Sequence, residues 1–323
     1  MKVLVAGAGG FIGGHLVQQL VKQGHEVTAI DVKPESEWFQ KSTNSRFISA
    51  DLSLLDNCLK YTKNIDCIYN LAAGMGGMGF IEKNKAKCME SVLINTHLLQ
   101  SAQKNSVPKY FFSSSACVYA SWHQNSVNFE PLKESDAYPA DPEDGYGWEK
   151  LFSERMCRHF QEDYGIETRV ARYHNVYGPF GTYYGGREKV PAAACRKIIE
   201  AINSKSFEIE IWGDGNQIRS FTFINDCIEG TLKLSESNFS QPLNIGSSES
   251  ISIRSLYELI IQIAGYSQSD FKFTFDLSAP QGVRGRSSDN KLCKEVLGWE
   301  PTTSIQAGLE ETFSWISNSI KLK

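Results

Sequence analysis

A chain of 323 residues, 41% hydrophobic and 22% charged, has the composition of a soluble globular protein and is long enough for one large domain or two sharing a cleft. Its net charge of −4 excludes a general attraction to nucleic acid or anionic membranes, so an anionic ligand needs a locally basic pocket. No apolar run approaches the roughly 18 residues of a bilayer span, and the eight cysteines form no CxxC pair, which speaks against a zinc site or a disulfide framework and for a reducing cytoplasm.

The first segment, VLVAGAGGFIGG after Met1-Lys2, has the length of a signal peptide but reads better as a buried strand and a glycine turn. Short apolar runs at 3–6, 26–30, 47–49, 67–71, 110–113 and 168–172 predict strands. Amphipathic patterns at 14–23, 88–105 and 146–164 predict helices between them. Such alternation predicts an α/β fold, a parallel sheet with helices on both faces. The stretch 178–189, rich in Gly, Pro and Tyr, predicts a long loop of the kind that carries function. A helix at 191–202 follows, with Pro191 suited to its first turn, and helices are expected at 253–264 and 305–320 in a smaller C-terminal part.

Gly7-Ala8-Gly9-Gly10-Phe11-Ile12-Gly13 lies between the first strand and the first helix. Glycines there permit a tight turn and let backbone N–H groups meet a pyrophosphate at the helix N-terminus. Asp31, ending the second strand, suits the adenosine ribose hydroxyls and repels a 2′-phosphate, which predicts NAD rather than NADP. Asp51 is placed near the adenine, and Leu71 and Ala73 form a small apolar strand end against the cofactor. No metal site is expected, because the histidines show no ligand spacing.

Tyr146 and Lys150, four apart, share one helix face. A phenol with a free pKa of ~10 becomes a base when cationic charge lies beside it, and it can then take a hydroxyl proton as hydride leaves the same carbon. Ser115, at the end of the run Ser113-Ser114-Ser115, can hydrogen-bond that hydroxyl.

The glycine motif, the Tyr146/Lys150 pair and the upstream serine resemble the extended short-chain dehydrogenase/reductase family, with its NAD-dependent epimerases and dehydratases, over nearly the whole chain. The motifs at 74–80 (GMGGMGF), 115–117 (SAC), 185–189 (GGREK), 212–215 (WGDG), 219–221 (RSF) and 282–286 (GVRGR) resemble the GDP-mannose 3,5-epimerase branch of that family. Gly74, where that branch has an acidic residue, is a departure, and so is the insert after Tyr119.

The resemblance implies a Rossmann-type doubly wound sheet with a smaller α/β substrate domain. NAD belongs to 1–177 plus about 221–245, and a nucleotide sugar, a GDP-hexose by the branch, to about 178–220 plus 246–323. It also implies a homodimer through the 88–105 and 146–164 helices. Oxidation at C4 acidifies the protons on C3 and C5. Cys117 takes a proton on one face, Lys189 supplies one on the other, and hydride returns. Their free pKa values are ~8.5 and ~10.4, and burial or a cationic neighbour is expected to bring either toward neutrality. Gly76, Met78, Ser115, Asn175, Lys189, Lys197, Trp212, Gln217, Arg219 and Arg284 are the implied substrate contacts. Arg219, Arg284 and Arg286 are the phosphate candidates, one of them structural. His174 reads as a packed or capping residue. The rival readings are a 4-epimerase, 4,6-dehydratase or 4-oxidase of the same family, and a non-catalytic dinucleotide sensor.

Overall fold

The computed structural model describes residues 1–321. Seven parallel strands form the central sheet: β1 (Lys2–Ala6), β2 (Glu26–Asp31), β3 (Ser45–Ser49), β4 (Cys67–Asn70), β5 (Lys109–Ser115), β6 (Glu167–Tyr173) and β7 (Leu243–Ile245). Their spatial order is β3-β2-β1-β4-β5-β6-β7. The chain reverses direction across the sheet between β1 and β4, so the crevice outside the carboxyl ends of these strands is where a ligand binds. The inner strands are covered on both faces, which is why β1 and β4 are buried along almost their whole length.

Helices α1 (Phe11–Lys22), α2 (Val92–Lys104) and α3 (Asp144–Tyr164) cover the sheet. The helical pattern predicted at 88–105 is divided. A short helix, Lys85–Met89, precedes α2. Between them the N–H groups of Ser91, Leu93 and Ile94 bond three residues back instead of four, a local 3₁₀ tightening. Gly165, left-handed at φ 72°, closes α3 with its N–H on Gln161 O at 3.0 Å. Aromatics of β5 anchor this layer: Tyr110, Phe111 and Phe112 are almost wholly buried, each contributing about 1.5–3 kcal/mol from burial.

Residues 178–189 carry neither helix nor strand. After them come α4 (Val190–Ser204), α5 (Ile224–Glu236), α6 (Ile253–Ile263) and α7 (Ile305–Lys321). Helix α5, which the sequence pattern did not predict, returns to pack on α1 and on β6 and β7. Helices α4, α6 and α7 pack on one another. Three small sheets complete this part: Val176–Tyr177 with Thr222–Phe223, Glu208–Trp212 with Lys272–Asp276, and Ser250–Ser252 with Ile218–Ser220 and Gly285–Arg286. No described helix is long and apolar enough to cross a membrane.

Candidate active site

The glycine turn makes the first half of the site. Gly7 and Ala8 donate to Ile30 O at 2.8 and 3.1 Å. Gly7 is left-handed at φ 81°, and a Cβ on Gly13 would lie 2.1 Å from Gly7 O, so only glycine lets α1 start this close to β1. No side chain caps α1 and no carboxylate stands in its first turn. Its leading N–H donors around Phe11 and Ile12 therefore face outward, as a pyrophosphate requires. Asp31 accepts from Gly9 N and Lys33 N, each at 3.0 Å. A carboxylate has about four lone-pair sites, so it keeps capacity for ribose hydroxyls. Asp51 is exposed and accepts from Ser53 N at 2.8 Å. Leu71 is tied to β1 through Ala6 O at 2.9 Å, and Ala73 is partly buried beside Tyr146. These residues fit a dinucleotide. Trp38, unremarked in the sequence, packs its indole over Gly9.

The second half is a cavity between the sheet's carboxyl edge and the C-terminal part. Ser115 ends β5, and a 3₁₀ turn at Ala116–Val118 swings Cys117 inward, its N–H donating to Ser115 Oγ at 3.2 Å. Helix α3 then crosses this turn. Glu143 N donates to Cys117 O at 2.9 Å, and a Cβ on Gly147 would sit 2.3 Å from the same oxygen. The bare Gly147 backbone thus allows α3 to bring Tyr146 beside Ser115 and Cys117. Gly76, Met78, Ser115, Cys117, Tyr146, Asn175, Lys189, Lys197, Trp212, Gln217 and Arg219 all line this one cavity. Lys189 arrives on the long loop just before α4, and that loop packs on the Gly-rich 74–79 segment through Gly77 N to Arg187 O at 3.1 Å.

Two sequence expectations change. Arg284 is not among the cavity-lining residues: its guanidinium forks onto Asp214, both bonds 3.0 Å, in a part-exposed pair. Arg286, two residues on in the strand Gly285–Arg286, is buried and lines the cavity. Cys117 is likewise not drawn toward neutrality. Burial first, and then the adjacent Glu143 carboxylate, push its thiol up to about 11, with Arg286 only partly opposing them.

Lys189 moves the other way, its ammonium pKa lowered by burial while Cys117 resists the change. Burial also holds the Tyr146 phenol well above its ordinary value, with Cys117 and Glu149 adding to it and a Ser115 hydrogen bond opposing them. The Lys150 ammonium stands 5.7 Å from the Tyr146 ring, but it also lies 4.7 Å over the Phe112 ring and 3.5 Å from Glu149 Oε2. Its charge is therefore shared with a buried carboxylate that the spacing argument did not weigh.

Charge is concentrated in this cavity. Arg196, Lys197, Arg219, Arg286 and Lys189 line it, against Glu143 and Glu188, so a chain of net negative charge offers a basic pocket for phosphates. Arg219 is anchored through Ile218 O at 2.8 Å and Val283 O, and burial, with Arg286 beside it, lowers it to about 10. Gln217 donates to Gln281 at 3.0 Å and leaves its buried Oε1 unpartnered. Lys197 donates to Glu210 O at 2.7 Å. Asn175, at φ 41°, donates to Ser220 O at 3.0 Å. His174 is buried outside the cavity lining and bonds Asn244 at 2.9 Å. Glu143 and Arg196 were missed in the sequence. The only local signal for Glu143 was its place three residues before Tyr146.

Residues 3–246 match the family described as NAD dependent epimerase/dehydratase family. Among curated proteins, the chain is 46% identical over 323 residues to GDP-mannose 3,5-epimerase 1 of Oryza sativa subsp. indica, covering 99% of this chain and 83% of that one. It is 44% identical to GDP-mannose 3,5-epimerase of Arabidopsis thaliana with the same coverage. Among solved structures, it superimposes on UDP-glucuronic acid 4-epimerase of Bacillus cereus in complex with UDP-glucuronic acid and NAD, with a TM-score of 0.82, 28% identity and coverage of 99% and 100%.

Proposed function

The chain belongs to the NAD dependent epimerase/dehydratase family, and from that membership we propose that it inverts C3 and C5 of GDP-mannose through transient oxidation at C4. The observation that carries this reading is the convergence of Tyr146, Ser115, Cys117 and Lys189 on one basic cavity. NAD supplies the hydride acceptor at C4 and afterwards the hydride donor.

Gly7, Gly10, Phe11, Ile12, Gly13 and Asp31 hold the dinucleotide, with Asp51, Leu71 and Ala73 at its flanks and Lys150 beside Tyr146. Tyr146, lining the cavity with Ser115, takes the C4 hydroxyl proton and returns it at the end. Once C4 is a ketone, loss of a proton from C3 or C5 leaves an enolate. Cys117 removes that proton from one face and Lys189 delivers one to the other. The lowered Lys189 pKa makes its ammonium a readier donor. Arg219 faces the phosphates. Residues 1–177 plus about 221–245 carry the cofactor, and the remainder carries the sugar nucleotide.

Met89, Leu93, Trp148 and Phe152 are each 44–57% exposed on the Lys85–Met89 helix, α2 and α3. An apolar patch on adjoining helices supports a homodimer through this face. Eight free thiols, all buried, favour a reducing cytoplasm.

The test is incubation of the purified protein with GDP-mannose in D₂O. Deuterium at both C3 and C5, with new epimers resolved by NMR, is the expected result. Inversion at C4 alone, loss of water at C6, or net reduction of added NAD would reject this reading in favour of a 4-epimerase, a dehydratase or an oxidase.

A further inference from the structure

Cys117 poses a problem for the chemistry just described. A base must be able to give up its own proton, and this sulfur lies buried in the cavity wall. The side chains around it supply an answer. Arg286 Nη1 points at Cys117 Sγ, 3.7 Å away. Its Nη2 donates to Glu143 Oε2 at 2.7 Å, and its Nε donates to Gln124 Oε1 at 2.5 Å. One planar guanidinium therefore spans the thiol and the carboxylate. Glu143 lines the same cavity, and its backbone N–H holds Cys117 O at 2.9 Å.

The geometry points to Glu143 as the proton-holding partner of Cys117, with Arg286 the fixed cation that both share. This rests on the reading of Cys117 as the base at C3 and C5. As the sugar C–H bond breaks, its electron pair passes into the C4 enolate and its proton goes to Sγ. The original S–H proton moves to Glu143. The sulfur exchanges one proton for another, and the carboxylic acid formed stays beside Arg286. The reverse transfer restores the thiol. A carboxylate suits this task because, ionised before the step, it has lone pairs free to accept a proton. Burial works to raise the Glu143 carboxyl, but Arg286, the neighbouring thiol and Arg219 together hold it below the usual range, so it enters the step ionised. The other charged groups facing this pair are the Lys189 ammonium and the Arg219 guanidinium, and Tyr146 is the neighbouring phenol.

The test uses the NAD-bound enzyme with Glu143→Gln, which preserves size and an acceptor for Arg286, and with Glu143→Asp. Two readouts are followed across pH: deuterium incorporation at C3 and C5, and iodoacetamide alkylation of Cys117 resolved by peptide mass spectrometry. Glu143→Gln is expected to lower kcat at neutral pH by ~10²-fold, the scale of one proton-transfer group. Its kcat should then rise with pH, because the thiol must first ionise to solvent. Alkylation of Cys117 should be faster than in the wild type at the same pH, because the carboxylate no longer opposes the thiolate. Glu143→Asp should recover part of kcat and the wild-type pH dependence.

An unchanged kcat and pH profile in Glu143→Gln would overturn the assignment. So would an equal loss of kcat at every pH with unchanged alkylation, which is what a purely structural role gives. If the wild-type protein fails to exchange at C3 and C5, the epimerase reading fails, whereas the alkylation comparison still reports whether Glu143 controls the thiol.

Discussion

Two buried arginine–glutamate pairs, one on β6 of the central sheet and one on the short strand Gly285–Arg286 of a separate small sheet, differ in how completely they are satisfied. Arg172, in β6, donates from Nε and Nη2 to the two oxygens of Glu154 in α3, at 2.9 and 2.7 Å, and from Nη1 to Glu134 O at 2.7 Å. Ser114 adds a further donor to Glu154. Arg286 also uses its three nitrogens, but only one of them reaches Glu143, and another faces a thiol. The first pair is closed: its polar atoms bond to protein, and its work is to lock α3 onto the sheet. Both pairs border a cavity, but the second has spare capacity, and it falls on a group that can exchange protons. Burial of charge alone does not mark a functional site. Burial with an unsaturated partner facing a ligand space does.

The sharpest break of this contrast is at the reacting groups. Cys117→Ser and Lys189→Ala are each expected to lower deuterium exchange at C3 and C5 by ~10³-fold or more, while urea unfolding stays near wild type. A residual rate close to normal in either variant removes it from the inversion step. On the closed side, Arg172→Ala leaves Glu154 charged, buried and unpaired. It should cost about 3–5 kcal/mol in urea unfolding, and kcat per folded molecule should stay close to wild type. A large kcat defect without loss of stability would erase the distinction between the pairs. Smaller effects separate the remaining arginines. Arg219→Ala should raise the KM for the nucleotide sugar by roughly 10–100-fold, the loss of about 1.5–3 kcal/mol of charge-assisted bonding. Arg284→Ala, which breaks a part-exposed pair with Asp214, should change KM little and stability by less than about 1 kcal/mol. Equal KM effects from the two would restore Arg284 as a phosphate ligand.

The cofactor half was legible because its signals are local. Gly7, Gly13 and Asp31 lie within one strand–turn–helix–strand unit, so spacing nearly dictates their geometry. Tyr146 and Lys150 were legible for the same reason, one helical turn apart. The 88–105 segment was read as a single helix because apolar periodicity persists through a 3₁₀ turn that only hydrogen bonding at Ser91, Leu93 and Ile94 reveals. The choice between Arg284 and Arg286 was closed to pattern reading. Both follow glycine or valine in one short motif, and their difference is that Asp214, seventy residues earlier in the chain, holds one of them away from the cavity lining.

What the sequence alone determined is therefore the parallel α/β scaffold, the dinucleotide turn and the one-turn spacing of Tyr146 and Lys150. Each follows from periodicity or from contacts within a few residues. What only the tertiary structure decided is which charged groups surround the reacting side chains. The Cys117 thiol is governed by Glu143 from the next helix and Arg286 from a distant strand, and Lys150 shares its charge with Glu149. Electrostatic energy depends on distance and burial through space, and neither quantity is written along the chain.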